Sequence, residues 1–165
     1  MKRLIMKTKI FKIIAIMLIL TGSFFSCTKR GYSVESVESV KVEIPVVGYS
    51  LAGTGCWWTN LESEKVAIVN SNKELEKYIE SSGNDCPTID FSEHTLLLTC
   101  GATSNGVAEI NTTLFKDASE KYTLKVEILL TIVTVAEGWR TAILTPKLTS
   151  NTNIVLDVQQ SHNHL

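Results

Sequence analysis

The fold class of this 165-residue chain is decided by the segment Tyr122-Thr123-Leu124-Lys125-Val126-Glu127-Ile128-Leu129-Leu130. Its even-numbered positions are apolar throughout, whereas Thr123, Lys125 and Glu127 on the alternate positions are polar. An alternation with a period of two predicts a β-strand that buries one face against a core and turns the other toward water.

Segments with strand character lie on both sides of this one. Residues 94–100 contain Leu96-Leu97-Leu98, an unbroken apolar run that predicts a central strand buried on both faces. Pro45 has no N–H to donate, so the strand that contains it is predicted to lie at a sheet edge or to end at a bulge. That edge strand is predicted over residues 40–46. The other predicted strands are 64–69, 107–115, 139–146 and 153–158.

One helix is predicted, near residues 71–82. Ser71 and Glu74 have the spacing of a capping box, in which a hydroxyl and a carboxylate bond the first free N–H groups of a helix. An apolar stripe at helical spacing follows, formed by Leu75, Tyr78 and Ile79. The run Ser81-Ser82-Gly83 is predicted to end the helix after about three turns.

These patterns together predict an α+β fold. We expect a mainly antiparallel β-sheet of six to eight strands, curled into a sandwich or a partial barrel, with the helix against one side. A single globular domain is predicted over residues 40–160, and residues 161–165 are predicted to be a frayed tail.

The charge of the chain excludes one class of partner. The full sequence has a net charge of −1, but residues 1–26 hold five basic residues and no acidic one. Without them, 11 Lys and Arg face 17 Asp and Glu, a net charge of −6. Such an acidic domain has no electrostatic footprint for DNA or RNA, so no nucleic-acid partner is expected.

Residues 1–26 have the three-part plan of a secretory signal peptide: a basic start, a short apolar run at 13–20 and a small polar stretch. The apolar run is shorter than the roughly 20 residues that span a bilayer. The segment closes on Phe24-Phe25-Ser26-Cys27, which resembles a lipobox, the cleavage and lipidation signal of bacterial lipoproteins. Conventional cleavage near Ser26 would instead leave Cys27 as an ordinary thiol.

The lipobox resemblance implies a membrane partner and a location. Phe24 and Phe25 stand where the strict pattern has Leu and a small residue, as in the looser lipoboxes of Bacteroidota lipoproteins. Two or three acyl chains on Cys27 anchor a protein stably. Surface-bound lipoproteins of this group usually carry acidic residues after the cysteine. Here Thr28-Lys29-Arg30 follows, so the resemblance points to the cell envelope, at the periplasmic face of the outer membrane.

Residues 27–39 are predicted to form the lipidated cysteine and a flexible tether. Thr28 to Ser39 are polar and contain a Ser-Val-Glu repeat with too few large apolar groups to pack. The alternation of Val and Ser is also compatible with the beginning of an edge strand.

Export to an oxidising compartment makes the pairing of the remaining cysteines relevant. Cys56 and Cys86 both lie in Gly-rich or Pro-bounded loops, and we favour a disulfide between them, with Cys56–Cys100 as the alternative. Closing a loop of about 30 residues contributes about 3 kcal/mol in the loop-entropy model. Cys100 follows the apolar run of residues 96–98 and is predicted to be a small buried apolar residue.

The sequence predicts no catalytic residues, no metal site and no cofactor. A catalytic cysteine needs a histidine partner, and His94 is predicted to be exposed at a corner, while His162 and His164 lie in the predicted frayed tail. The sequence contains neither a Cys-x-x-Cys nor a His-Glu-x-x-His metal motif, nor a Gly-x-Ser-x-Gly nucleophile motif.

Trp57 and Trp58 are the candidate binding residues. In an extended chain, adjacent rings point to opposite sides, so one fills the core and the other is exposed unless a loop or the helix covers it. Exposed tryptophans in Gly-rich loops are typical anchors for proteins or sugars. The alternative is that both rings are packed.

Several segments together resemble a group of small uncharacterised lipoproteins of Bacteroidota: 56–58, 70–75, 89–92, 96–98 and 139–142. Small exported β-rich proteins of these bacteria act as inhibitors of papain-like cysteine peptidases, and others resemble protease-stabilising lipoprotein domains of spirochaetes. The group itself has no defined chemistry. The absence of catalytic motifs, the paired tryptophans and these architectural analogies favour a non-catalytic, membrane-tethered module that binds a protein, with peptidase inhibition or modulation as one version. A carbohydrate-binding or uptake-accessory lipoprotein is the alternative, and an enzyme of unrecognised type is the third hypothesis.

Overall fold

The computed structural model describes residues 40–83 and 86–162. The predicted signal peptide, Cys27 and the tether all lie outside these residues. The described chain holds one short helix, α1, at Asn72–Leu75, and ten strands. The strands are β1 Lys41–Ile44, β2 Val47–Gly48, β3 Cys56–Trp58, β4 Ala67–Val69, β5 Ile79–Ser81, β6 His94–Thr103, β7 Val107–Asp117, β8 Tyr122–Leu130, β9 Glu137–Pro146 and β10 Ile154–His162.

The strands form two four-stranded sheets and a two-stranded one. Sheet A has the order β1-β7-β8-β10, sheet B has the order β2-β9-β6-β4, and sheet C pairs β3 with β5. The fold is therefore β-rich and mainly antiparallel, as predicted. The number of strands exceeds the predicted six to eight because β2, β3 and β5 lie outside the predicted strand ranges.

Sheets A and B pack face to face through the apolar alternation of β8. Leu124 and Val126 are fully buried, and Ile128 is 1% exposed. They pack against Leu97 of β6 and Ile143 of β9 in one cluster. Burying this face stabilises the sandwich at about 25 cal/mol per Å² of apolar surface.

The predicted burial of the 96–98 run on both faces is confirmed. Leu97 points into the core between sheets A and B, whereas Leu96 and Leu98 belong to a second core on the other face of sheet B. Half-buried side chains from β3, from α1 and from the turn after it cover that second face, among them Trp58, Leu75 and Tyr78.

Pro45 marks the point where the chain passes from one sheet to the other. β1 ends at Ile44 after pairing with β7, and β2 begins at Val47 and pairs with β9. Both strands are sheet edges, so the position without an N–H interrupts no central ladder, as the sequence predicted.

β10 departs from the predicted pattern in two ways. It pairs with β8 in parallel, with Ile154 opposite Tyr122 and His162 opposite Leu130. It also extends to His162, so Ser161 and His162 are part of a strand rather than of the predicted frayed tail. Nine successive pairs with a central strand supply the hydrogen bonds that order this segment.

The helix is much shorter than the predicted range of 71–82. Ser71 does cap it, because its side chain accepts from the Glu74 N–H, and Glu74 accepts from the Asn70 N–H at 2.7 Å. The chain then turns and enters β5 at Ile79, where it pairs with β3. The β-branched Ile79 and the following serines have weak helix propensity, so strand pairing outweighs the apolar stripe.

Within the described residues, no helix has the length and apolar character required to cross a membrane.

Candidate binding site

A groove of about 600 Å³ lies on the side of the molecule where sheets A and B meet at β2, β7 and β9. We call it the tryptophan groove. Residues 48–52 line it together with Trp57 and Trp58 of β3, and Ile110 and Arg140 contribute from β7 and β9. The groove therefore gathers residues from four separate strands and one loop.

Trp57 is the exposed residue of the groove. It is 47% exposed, and its Nε1–H donates to Glu80 Oε2 at 3.2 Å across the β3–β5 pair. This bond favours one orientation of the indole, and much of its surface remains in contact with water.

Trp58 points the other way, as expected for adjacent residues of a strand. It is half-buried in the second core, and its ring centroid lies 5.8 Å from that of Tyr49. The Tyr49 hydroxyl donates to the carbonyl of Pro87 at 2.7 Å. The sequence hypothesis of one inward and one outward ring therefore describes the observed placement of this pair.

Cys56 and Cys86 form a disulfide bond with a Cα–Cα distance of 5.7 Å. This is the pair that the sequence favoured. It fixes β3, which carries both tryptophans, to the segment before Ile89. The loop preceding β3 is also fixed, because the Thr54 N–H and the Thr54 hydroxyl both donate to the carbonyl of Leu51. Gly53 adopts φ +77°, a conformation that favours glycine.

Cys100 is the free cysteine of the described chain, and it is half-buried rather than fully buried as predicted. It lies opposite Arg140 on β9. Burial raises the pKa of the Cys100 thiol above its ordinary 9.0, and the Arg140 charge opposes this in part. A raised pKa keeps the thiol protonated and therefore a poor nucleophile near neutral pH.

The other ionisable residues singled out in the sequence are spread over the surface. His94 is exposed at the start of β6, and His162 is exposed at the end of β10, whereas His164 lies outside the described residues. Hydrogen bonds from Ser92 lower the pKa of Asp90 below its ordinary 3.8, a local turn effect. Across residues 40–83 and 86–162, no group of three His, Cys, Asp or Glu side chains is placed to hold a metal ion.

A second exposed apolar surface, which the sequence analysis did not identify, lies in the loop between β8 and β9. We call Ile132, Val133 and Val135 the apolar tip; they are 78%, 55% and 60% exposed. Backbone bonds to Gly106 hold the loop, at 2.9 Å to the Val133 carbonyl and 2.8 Å from the Thr131 N–H. In the sequence, this surface is indicated by the apolar residues that continue beyond the end of β8.

A polar cleft of about 550 Å³ lies at the other end of the sandwich. Three lysines line it, but two of them are already bonded. Lys147 donates to the carbonyls of Asn70 and Phe91, and Lys116 donates to Glu120. These lysines therefore stabilise local turns, and the cleft is a weaker candidate than the tryptophan groove.

Comparison of this chain with protein-family models, with curated proteins and with solved structures finds no match.

Proposed function

We propose that this protein is a lipid-anchored, non-catalytic protein-binding module of the bacterial cell envelope. The observation that carries the proposal is the exposed Trp57 ring, held by Glu80 beside a groove of about 600 Å³. A large ring with only two torsions, fixed in advance, contributes contact area at little entropic cost and is typical of interface anchors.

The chemistry of the groove favours a protein over a carbohydrate. Sugar-binding sites place Asn, Asp or Gln beside an exposed ring to bond hydroxyl groups. The described lining of the tryptophan groove contains none of these three residue types, and most of its side chains are apolar. The exposed apolar tip adds to this preference, because contiguous exposed apolar side chains favour protein contacts.

The position of these surfaces also supports a tethered module. The described chain begins beside the β7–β8 turn, since Lys41 pairs with Asp117. The apolar tip contacts Gly106, next to the opposite end of β7. Eleven strand residues separate the two ends by about 33 Å. The chain therefore enters the described domain at the end of β7 remote from the tip.

The finer version of the proposal is that the bound protein is a peptidase, which this module inhibits or modulates. Support comes from the segment over residues 51–56, of which Leu51, Ala52 and Cys56 line the groove. It is a Gly-rich loop, tied by the Cys56–Cys86 bond and by the bonds to the Leu51 carbonyl. Loops held in one shape at the edge of an apolar groove are suited to enter a cleft of a partner.

The tryptophan groove is tested by comparing Trp57→Ala with Trp58→Ala. We expect Trp57→Ala to lower the free energy of unfolding by less than about 1 kcal/mol, because the ring is exposed. Its affinity for the partner should fall by about 30-fold, the effect of losing an interface anchor worth about 2 kcal/mol. Trp58→Ala should cost at least about 2 kcal/mol of stability, because this ring packs in the second core.

The measurement uses an immobilised fragment of residues 28–165 to capture proteins from envelope extract. The captured protein is then purified and titrated by calorimetry, with Trp57→Phe as the conservative control. Equal affinity of the wild type and Trp57→Ala would contradict the groove as the binding surface. The same proteins are also tested against a panel of oligosaccharides. An oligosaccharide that binds the wild type but not Trp57→Ala would show that the ligand is a sugar rather than a protein.

The lipid anchor is tested by Cys27→Ser. We expect the variant to accumulate as unprocessed precursor without incorporated lipid, because no other residue of the signal segment carries a thiol for diacylglyceryl transfer. Metabolic labelling with palmitate followed by immunoprecipitation measures this directly. Label that still enters the Cys27→Ser protein would remove the lipoprotein assignment, while leaving the groove proposal intact.

A further inference from the structure

The free edge of β10 differs from the other sheet edges of this protein. β10 is nine residues long, and within the described chain its one ladder is with β8. Its sequence, Ile154-Val155-Leu156-Asp157-Val158-Gln159-Gln160-Ser161-His162, contains no proline, lysine or arginine. Its register with β8 is unbroken, so no bulge turns the edge away.

The other edges carry features that discourage strand addition. β1 has four residues, begins with Lys41 and stops before Pro45, and β2, β3, β4 and β5 have only two or three residues each. Short strands, edge lysines and prolines are the usual protection of a sheet edge. β10 has none of these, so its unpaired backbone groups form a template for another strand.

The core is also less completely covered beside β10. Leu156 and Val158 face the core between sheets A and B but are only half-buried. They line a cleft of about 370 Å³ together with Trp139. A strand added to β10 would cover this side of the sandwich and bury more of both residues.

We propose that β10 pairs with β10 of a second copy of this chain, in antiparallel orientation about a two-fold axis at Val158. The two sheets A then become one continuous eight-stranded sheet. A two-fold axis is the commonest symmetry of homo-oligomers, and it uses the same surface on both copies. Strand addition to a free edge is an established recognition mode.

The register follows from side-chain alternation and from charge. Opposite residues of an antiparallel pair point to the same face, so the core-facing positions 154, 156 and 158 must meet even-numbered partners. An axis at Asp157 would place two carboxylates directly opposite each other, which is destabilising. An axis at Val158 avoids this contact, pairs Asp157 with Gln159 of the second copy and uses all nine residues.

The dimer leaves the tryptophan groove free. That groove lies at β2, β7 and β9. In sheet A, β8 separates β7 from β10, so a strand added at β10 does not reach the groove. Each dimer would therefore present two grooves, and a partner with two copies of the bound surface would gain in apparent affinity. The proposal itself is independent of what the groove binds.

The register is tested by disulfide formation between two differently tagged full-length copies in cells that export the protein, both with Cys100→Ser. One copy carries Asp157→Cys and the other Gln159→Cys, positions that lie directly opposite in the proposed dimer. We expect a mixed dimer on non-reducing gels. The combination of Val155→Cys with Gln159→Cys is the matched control and should give at least about fivefold less, because these positions are one pair out of register.

A charge series gives an independent measurement. The reporter pair is Val155→Cys on one copy and Ser161→Cys on the other. Gln159→Asp on both copies should lower the crosslinked fraction about 2- to 5-fold, because each new carboxylate lies opposite Asp157 of the other copy. Gln159→Lys should raise that fraction. The proposal would be overturned by equal crosslinking in all combinations or by a maximum in the control register. It would also be overturned if the cysteines crosslinked only to other proteins, or not at all.

Discussion

Gly101→Ala is expected to lower the free energy of unfolding by about 2–3 kcal/mol, a large cost for one added methyl group. Gly101 lies opposite Trp139 on neighbouring strands, and the Trp139 ring lies directly over it. A Cβ atom at Gly101 would lie 2.7 Å from Trp139 Cζ2. Trp139 is 4% exposed and packs in the core between the sheets, so a shift of its ring to make room for the methyl group would disturb that packing.

Gly48→Ala is the matched control for this prediction, because a Cβ atom at Gly48 meets nothing within 4 Å. Denaturant unfolding of both variants measures the difference. A second test combines Gly101→Ala with Trp139→Leu: the alanine should cost less in that background, because the smaller side chain leaves room for it. An additive double variant would show that the ring does not determine the need for glycine.

Replacing Cys86 by serine is expected to cost about 3 kcal/mol of stability, mainly because the unfolded chain regains the entropy of a 30-residue loop. The variant should also bind its partner more weakly than its remaining stability explains. β3 carries Trp57, and sheet C consists of only β3 and β5, so loss of the disulfide leaves this pair held by its own short ladder and by the packing of Trp58.

Peptide mapping without reduction should recover Cys56 and Cys86 as one linked pair and Cys100 as a free thiol. Cys100→Ser serves as the control and should change stability by less than about 1 kcal/mol, since the residue is half-buried and unpaired. Linkage of Cys100 to either of the other cysteines would contradict the observed pairing, and a Cys86→Ser variant as stable as the wild type would contradict the entropic argument.

The sequence determined the parts of this protein that depend on local patterns. The alternation over residues 122–130, the unbroken 96–98 run and the position of Pro45 predicted a half-buried strand, a strand covered on both faces and an edge. These inferences held because side-chain periodicity reports burial directly, whatever the neighbouring strands are. Ser71 capped its helix because a cap requires only contacts within one turn.

Tertiary structure decided the features that depend on distant partners. The helical stripe of Leu75, Tyr78 and Ile79 did not become a three-turn helix, because the disulfide-linked β3 pairs with Ile79–Ser81. The parallel pairing of β10, and its extension to His162, depend on the neighbouring β8. The tryptophan groove joins residues from 48 to 142, a separation at which local propensity carries no information about contact.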